Sequence, residues 1–312
     1  MAKTSIPQFN IEFLKPKYWL FWLGFLFFRL ILLLPYPILL KIGNGLGSLF
    51  SHLKIGQRRT KIARQNLQLC FPHYSEQEIN DILQSNLKAT GMAIIETGMA
   101  WFWSDKRIKK WSKIEGLEYL KENQQDGIIL VGIHFLTLEL GARIIGLSHP
   151  GIGIYRPHDN PLMDWLQCRG RARSNKGLLD RKDLRAMIKA IRHGEMIWYA
   201  PDHDYGRKNA VFVPFFAVPE AATTTGSYYL IKSSPKSKVI PFTPLRNKDN
   251  SGYTLNISAP IDFSDILHDE TAIATRMNKI VEKEILQDVT QYMWLHRRFK
   301  TRPNEHQQSL YE

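Results

Sequence analysis

His134 and Glu139 are the residues whose types and spacing best suit catalysis. They lie five positions apart in the segment HFLTLE, directly after the apolar run GIILVGI at 127–133. A carboxylate bonded to one ring nitrogen of a histidine fixes the tautomer and stabilises the imidazolium, so that the other nitrogen can take a proton from a hydroxyl. A turn from strand to helix would bring the two side chains together, and we predict that they form such a pair.

This spacing is weak support by itself. With ten histidines and 29 acidic residues in 312 positions, about one such match arises by chance. A second match, His73 with Glu78, lies at a polar helix start where Ser75 and Glu78 form a capping box, so we interpret it as structural. The alternative for His134 is a core histidine with a satisfied hydrogen bond. Its position after a buried strand favours the catalytic interpretation.

The sequence offers no convincing protein nucleophile. It has no GxSxG, no HExxH and no glycine-rich nucleotide loop, and the SxxK match from Ser233 to Lys236 falls in a polar turn. The natural role of His134 is therefore to activate a hydroxyl of a bound substrate. This predicts direct group transfer without a covalent enzyme intermediate.

Short apolar runs alternate with amphipathic helical patterns along most of the chain. This alternation predicts an α/β fold with a mainly parallel sheet flanked by helices. The predicted strands are 127–133, 151–155, 196–200, 211–216, 238–245 and 253–261. The predicted helices are 136–147, 160–170, 182–193, 221–232 and 270–288, with further helix within 57–100.

Polar clusters follow three of these strands, where ligands of open α/β sheets bind. They contain His134, the segment 156–160 that begins with Arg156, and Asp202-His203-Asp204. A DxD segment after a strand can hold a divalent metal in nucleotide-sugar transferases, but no nucleotide loop supports that alternative here. We therefore predict no metal and no cofactor, and expect Asp202 to pair with a nearby arginine.

The N-terminal region carries the most apolar stretch of the chain. Residues 18–34 read YWLFWLGFLFFRLILLL, with Arg29 as the single charge, and the stretch resumes after Pro35 and Pro37 as far as residue 40. It barely reaches the length of about 20 apolar residues that spans a membrane. We predict an N-terminal membrane-associated hydrophobic helix, short, broken or tilted; the alternative is a buried core helix. The predicted regions are a membrane anchor at 1–41, a catalytic domain at 42–302 and a polar tail at 303–312.

The charge balance points to anionic partners, with 42 Lys and Arg against 29 Asp and Glu and a net charge of +13. No acidic residue occurs between 41 and 64, a segment with six basic residues. Next to an apolar anchor, this favours an anionic membrane surface on the cytoplasmic side over a merely solvated helix face. No nucleic-acid-binding motif is present. We also predict membrane-surface contacts for the basic residues near the C-terminus: His296, Arg297, Arg298, Lys300 and Arg302.

Five long segments of the chain carry distinctive motifs: VGIHFLTLELGARIIGL, IYRPHDNPLMDWLQCRGRARSNKGLLDRKDLRAMIKA, WYAPDHDYGRKNAVFVPFFA, ATTTGSYYL and QYMWLHRRFKTRP. Together they resemble one known family, the lauroyl/myristoyl-type late acyltransferases of lipid A biosynthesis. The resemblance implies a glycerophosphate-acyltransferase-like α/β fold at the cytoplasmic face of the inner membrane. It also implies acyl-acyl carrier protein as donor and, as acceptor, a hydroxyl on a 3-hydroxyacyl chain of Kdo2-lipid IVA.

The resemblance also assigns site residues. The family's histidine and acidic residue fall on His134 and Glu139, its arginine on Arg171 and its aspartate on Asp202. We add Arg156 and Arg173 as predicted substrate-binding residues, since Arg binds phosphates and carboxylates bidentately. Two alternatives remain open: acylation of glycerol phosphate or lysophosphatidate by the same pair, and a non-catalytic lipid-binding protein.

Overall fold

A seven-stranded sheet forms the centre of the computed structural model, which describes residues 7–311. The strands of this sheet and of a separate hairpin are β1 (Ser112–Glu115), β2 (Ile128–Gly132), β3 (Gly151–Tyr155), β4 (Asn175–Asp180), β5 (Met196–Tyr199), β6 (Ala210–Phe215), β7 (Val218–Thr224), β8 (Lys238–Arg246) and β9 (Tyr253–Ile257). The order across the sheet is β1-β9-β8-β2-β5-β3-β4, and only the β8–β9 pair is antiparallel.

Helices cover both faces of this sheet, with separate hydrophobic cores on the two sides. They are α1 (Trp19–Ile31), α2 (Tyr36–His52), α3 (Lys54–Cys70), α4 (Glu76–Phe102), α5 (Asp105–Lys110), α6 (Leu117–Glu122), α7 (Leu138–Ile145), α8 (Pro161–Arg171), α9 (Leu184–Arg192), α10 (Gly226–Ser233) and α11 (Glu270–Ile285). All five residues of β2 are buried, as expected for a parallel strand covered on both faces. The predicted α/β class with a mainly parallel, helix-flanked sheet is confirmed.

The predicted element pattern differs from the structure in three respects. The strand at 211–216 forms β6, but it pairs antiparallel with β7 in a hairpin outside the main sheet. The helix predicted at 221–232 begins only at Gly226, because residues 218–224 form β7 and its threonines favour extended backbone. The prediction also omitted β1 and β4, whose polar ends and short apolar segments give little signal.

The apolar N-terminal stretch folds as two helices. Pro35 has an extended conformation, which ends the run after α1, and Pro37 lies in the first turn of α2. Within residues 7–311, no helix is both long and apolar enough to cross a membrane. One side of α1 packs through Trp22 and Phe25 on a small aromatic core around Trp165 of α8. The stretch is thus broken at residues 32–35, which agrees with the prediction of a short or broken helix, and its association with a membrane stays a prediction.

Helices α2 and α4 cross at three glycines. A Cβ added to Gly91 would collide with backbone atoms of Gly43 and Gly47, and one added to Gly47 would collide with the backbone of Leu87. The two helix backbones are thus in direct contact. The capping box of Ser75 and Glu78 begins α4, as predicted.

Candidate active site

Neighbouring parallel strands bring His134 and Asp202 together. His134 follows β2 and Asp202 follows β5, and the two strands pair in register with Val131 opposite Tyr199. The Nδ1 of His134 lies 2.8 Å from Oδ1 of Asp202. The Oδ2 of Asp202 accepts hydrogen bonds from the backbone N–H of His134 at 3.1 Å and from the hydroxyl of Tyr292 at 3.0 Å.

These contacts define the protonation state of the pair. Asp202 is fully buried, and burial by itself raises the pKa of its carboxyl. The charge of His134 and its hydrogen bonds outweigh burial and hold that pKa well below its usual range. An ionised Asp202 requires a proton on Nδ1 of His134, so Nε2 is the nitrogen free to accept one. The imidazole remains 22% exposed, and its Nε2 forms no hydrogen bond to the residues at 7–311.

Glu139 has a different partner from the one predicted. Its carboxylate accepts hydrogen bonds from Nε of Arg171, at 2.9 Å to Oε1 and 3.2 Å to Oε2. It also accepts one from Nη2 of the same guanidinium. The Nε1 of Trp101 lies 3.4 Å from Oε2. Glu139 and His134, both within the described part of the chain, share no hydrogen bond. The predicted contact is wrong because Asp202 occupies Nδ1 of His134 while Arg171 offers Glu139 a full opposite charge.

Arg171 and Glu139 form a half-buried ion pair at the C-terminal end of α8. Burial by itself lowers the pKa of Arg171, but the charge of Glu139 outweighs this and raises it. The preceding Gly170 lies against Trp101, where a Cβ would collide with the indole ring. Contact between α8 and Trp101 therefore positions the guanidinium, whose Nη1 makes no hydrogen bond within residues 7–311.

The other two predicted substrate-binding arginines lie elsewhere. Arg156 is exposed after β3 and forms an ion pair with Asp159 at 2.9 Å. Arg173 donates to the backbone carbonyls of Trp101 and Trp103 at the end of α4. Their binding of substrate stays a prediction.

A stack of imidazoles, which the sequence analysis missed, extends from the site. The rings of His134 and His203 lie 3.5 Å apart with an angle of 10° between their planes. His296 stacks on the other side of His203 at 4.2 Å and 15°. Burial, helped by the charge of His134, lowers the pKa of His203 to about 3, so this imidazole is neutral at pH 7. The only sequence signal was the place of His203 in the polar cluster after β5.

Two of the basic residues predicted to contact a membrane lie inside the protein instead. His296 belongs to the stack, and burial lowers its pKa. Arg298 is 2% exposed, covers the ring of Phe215 and donates to the carbonyl of Ala222. A buried guanidinium needs such partners, and they come from β6 and β7, far from Arg298 in sequence.

The donor set of this region does not suit a metal ion. Atoms of His134, Asp202 and His203 lie within 4.8 Å of one another. A histidine binds metal in the plane of its ring at about 2 Å, and two nearly parallel rings 3.5 Å apart cannot both do so. Asp204 is bonded by Thr301, and Asp202 by His134 and Tyr292. The expected arginine partner of Asp202 is therefore wrong.

Comparison with known proteins agrees with the resemblance noted in the sequence. Residues 6–301 match the family described as bacterial lipid A biosynthesis acyltransferase. A lipid A biosynthesis acyltransferase of Haemophilus influenzae is 74% identical over 312 residues, the full length of both chains. The lipid A biosynthesis lauroyltransferase of Escherichia coli is 54% identical over 302 residues, 96% of this chain and 97% of that one. The palmitoleoyltransferase of the same organism is 47% identical over 298 residues, 95% of this chain and 96% of that one. The chain is thus an acyltransferase that belongs to the bacterial lipid A biosynthesis acyltransferase family.

Proposed function

We propose that the protein transfers a lauroyl or myristoyl chain from acyl-acyl carrier protein to a hydroxyl on a 3-hydroxyacyl chain of Kdo2-lipid IVA. Family membership supports acyl transfer in lipid A biosynthesis. The observation that carries the mechanism is the imidazole of His134: a buried carboxylate holds its Nδ1, and its Nε2 forms no hydrogen bond to the residues that the structure describes. A hydroxyl within reach of Nε2 can lose its proton as it attacks.

The reaction has one acyl-transfer step with no covalent enzyme intermediate. Nε2 of His134 takes the proton of the acceptor hydroxyl while its oxygen attacks the thioester carbonyl carbon. The tetrahedral intermediate then expels the carrier thiolate, which takes the proton from the imidazolium. Asp202 keeps Nδ1 protonated throughout and stabilises the charge that His134 gains.

Arg171 acts on developing or existing negative charge in this proposal. Its half-buried guanidinium stabilises the oxyanion of the tetrahedral intermediate or holds a phosphate of either substrate. Glu139 then contributes as a positioning residue, because its carboxylate fixes the orientation of Arg171. This differs from the role predicted from sequence, in which Glu139 supports the imidazole.

The test is a direct assay with the full chain in detergent. Kdo2-lipid IVA is incubated with carrier proteins bearing lauroyl, myristoyl or palmitoleoyl chains, and products are identified by mass spectrometry. We expect a product with one added ester and the fastest transfer from lauroyl. The 54% identity to the lauroyltransferase, against 28% to a myristoyltransferase of the same organism, supports this order. Acylation of glycerol 3-phosphate but not of Kdo2-lipid IVA would replace the proposal with its nearest alternative.

A basic surface formed by the turn before α9 and by α9 itself supports a carrier protein as donor. Arg181, Lys182, Arg185, Lys189 and Arg192 are exposed, and none forms a salt bridge within residues 7–311. The backbone N–H of Arg181 bonds the carbonyl of Tyr155, and its guanidinium lies over the ring of Tyr205. The basic surface therefore begins at the edge of the sheet that carries His134. An acidic carrier docked there would deliver its acyl arm from that side.

Charge reversal on this basic surface tests the docking. The double variant Arg185→Glu/Lys189→Glu is expected to raise KM for acyl carrier protein about tenfold or more, because attraction becomes repulsion. KM for the same acyl chain on coenzyme A should stay unchanged. Lys283→Glu, on the exposed side of α11, is the matched control. An equal effect of both variants, or an equal effect on both donors, would contradict docking on α9.

The outer side of α1 supports a membrane-surface partner. It exposes a row of large apolar side chains: Trp19, Leu20, Leu23, Leu26, Phe27 and Leu30. We propose that α1 lies in the headgroup region of the inner membrane, with the catalytic domain on the cytoplasmic side. Leu23→Glu/Phe27→Glu should reduce flotation of the protein with anionic vesicles. Unchanged flotation would contradict this placement.

A further inference from the structure

The imidazole stack beside His134 contains buried ring nitrogens that lower the stability of the fold, and packing does not explain them. The ring of His203 stacks on that of His134, and the ring of His296 stacks on the other side of His203. The Nε2 of each is buried without a hydrogen-bond partner in the described part of the chain. Leaving a buried ring nitrogen unbonded is unfavourable, and apolar side chains would fill the same space without this cost. Packing alone does not explain two histidines at these positions.

We infer that His203 is a positioning residue for acyl transfer, which holds the ring of His134 in plane and stabilises that ring when it becomes an imidazolium. Asp202 fixes one edge of the His134 ring through Nδ1, and His203 covers its face. These two contacts restrict both side-chain torsions of His134, so Nε2 keeps one direction. Only the expected effect of His203 on the rate of acyl transfer rests on the proposed function.

The electrostatic part follows from the neutral state of His203. The face of an uncharged aromatic ring carries negative partial charge and attracts a cation lying over it. When His134 accepts a proton, this face stabilises the new charge, whereas a protonated His203 would repel it. The burial that keeps His203 uncharged is therefore part of the arrangement. His296 continues the stack and shields the far side of His203 from water.

The geometry excludes a proton relay along the stack. A hydrogen bond between imidazoles requires a ring nitrogen of one to lie near the plane of the other ring. The planes of His134 and His203 are nearly parallel and the rings face each other, so neither N–H points at the other ring's nitrogen. His203 therefore acts on His134 through the face of its own ring, and the two imidazoles exchange no proton.

Charged and titratable groups from several elements face the stack. Arg298 and Lys300 approach the stack from the C-terminal segment. Tyr205 and Tyr292 have pKa values raised by burial and stay neutral, while Asp202 stays ionised. Asp204 also faces the stack, with its carboxylate bonded by Thr301.

Two variants of similar size separate the positioning role from packing. His203→Leu removes the aromatic face, and His203→Phe keeps it without a titratable nitrogen. For His203→Leu we expect kcat to fall about tenfold, KM to change less than about twofold, and the rising limb of the kcat/KM profile to move about one pH unit lower. For His203→Phe we expect the rising limb of the kcat/KM profile at the same pH as in wild type, and most of the wild-type kcat. Equal losses in both variants with an unmoved limb would overturn the inference.

A second readout does not depend on catalysis. The titration of His134 is followed by NMR in the full, 13C-histidine-labelled chain in detergent, with its signal assigned from His134→Gln. The midpoint should be lower in His203→Leu than in wild type and His203→Phe. If it does not move, the inference fails even when acyl transfer is observed. If it moves while no donor is turned over, the proposed function fails and the role of the stack stands. His203→Met replaces the leucine variant if melting curves show that the latter does not fold.

Discussion

Replacing His134 with glutamine is expected to lower kcat about 10³- to 10⁴-fold with little change in KM. The amide can still donate a hydrogen bond to Asp202, but the variant loses the ring that stacks on His203. It cannot take a proton from the acceptor hydroxyl, and attack on the thioester then depends on water as base. Initial rates with acyl carrier protein and Kdo2-lipid IVA measure the loss, and circular dichroism confirms the fold.

His73→Gln is the matched control for this variant. His73 belongs to the second match to the same spacing, but it lies outside the site, just before α4. We expect wild-type kinetics from it. Near-wild-type activity in a folded His134→Gln protein would remove the general-base role, whatever the control shows.

Asp202→Asn should produce a loss of similar size, about 10³- to 10⁴-fold in kcat, without disturbing the fold. The backbone N–H of His134 and the hydroxyl of Tyr292 both donate to Oδ2 of Asp202. An asparagine must place its oxygen there, so its NH₂ group faces Nδ1 of His134. That arrangement favours the tautomer with the proton on Nε2, which leaves no base for the acceptor.

Comparison with Glu139→Gln decides which carboxylate supports the imidazole. This variant leaves the His134–Asp202 contact intact and removes only the charge that orients Arg171. We expect a smaller loss, about 10²-fold, and the same loss from Arg171→Ala, with little further loss in the double variant because the two residues act as one unit. A severe effect of Glu139→Gln beside a mild effect of Asp202→Asn would reverse the assignment.

Local patterns in the sequence predicted the strand ends that build the site, but not which ends meet. The apolar runs before His134 and before Asp202 both gave strands with polar residues at their carboxyl ends. Their adjacency depends on strand order, and β2 lies between β8 and β5, strands from distant parts of the chain. A five-residue spacing therefore suggested Glu139 as the partner of His134, whereas the partner lies 68 residues away.

Contacts between distant parts of the chain also explain the other differences between the predicted and the observed structure. A basic residue near a chain end resembles a surface residue, and only the folded hairpin of β6 and β7 supplies the carbonyl and the ring that hold Arg298 inside. The break between α1 and α2 could be predicted from the sequence because proline restricts the backbone of its immediate neighbours. The stack of His203 on His134 joins the ends of two strands, and no local pattern predicts that the two rings meet.

The glycine crossing of α2 and α4 links the apolar N-terminal helices to the reacting groups. Backbones in direct contact cannot slide or tilt independently, and the far end of α4 carries Trp101, whose indole reaches Glu139. With α1 in the headgroup region, as we propose, this crossing would hold the N-terminal helices rigidly against the rest of the protein. The depth of these helices in the bilayer would then set the distance of His134 from the bilayer, and with it how far an acceptor chain must move out of the bilayer to reach the thioester.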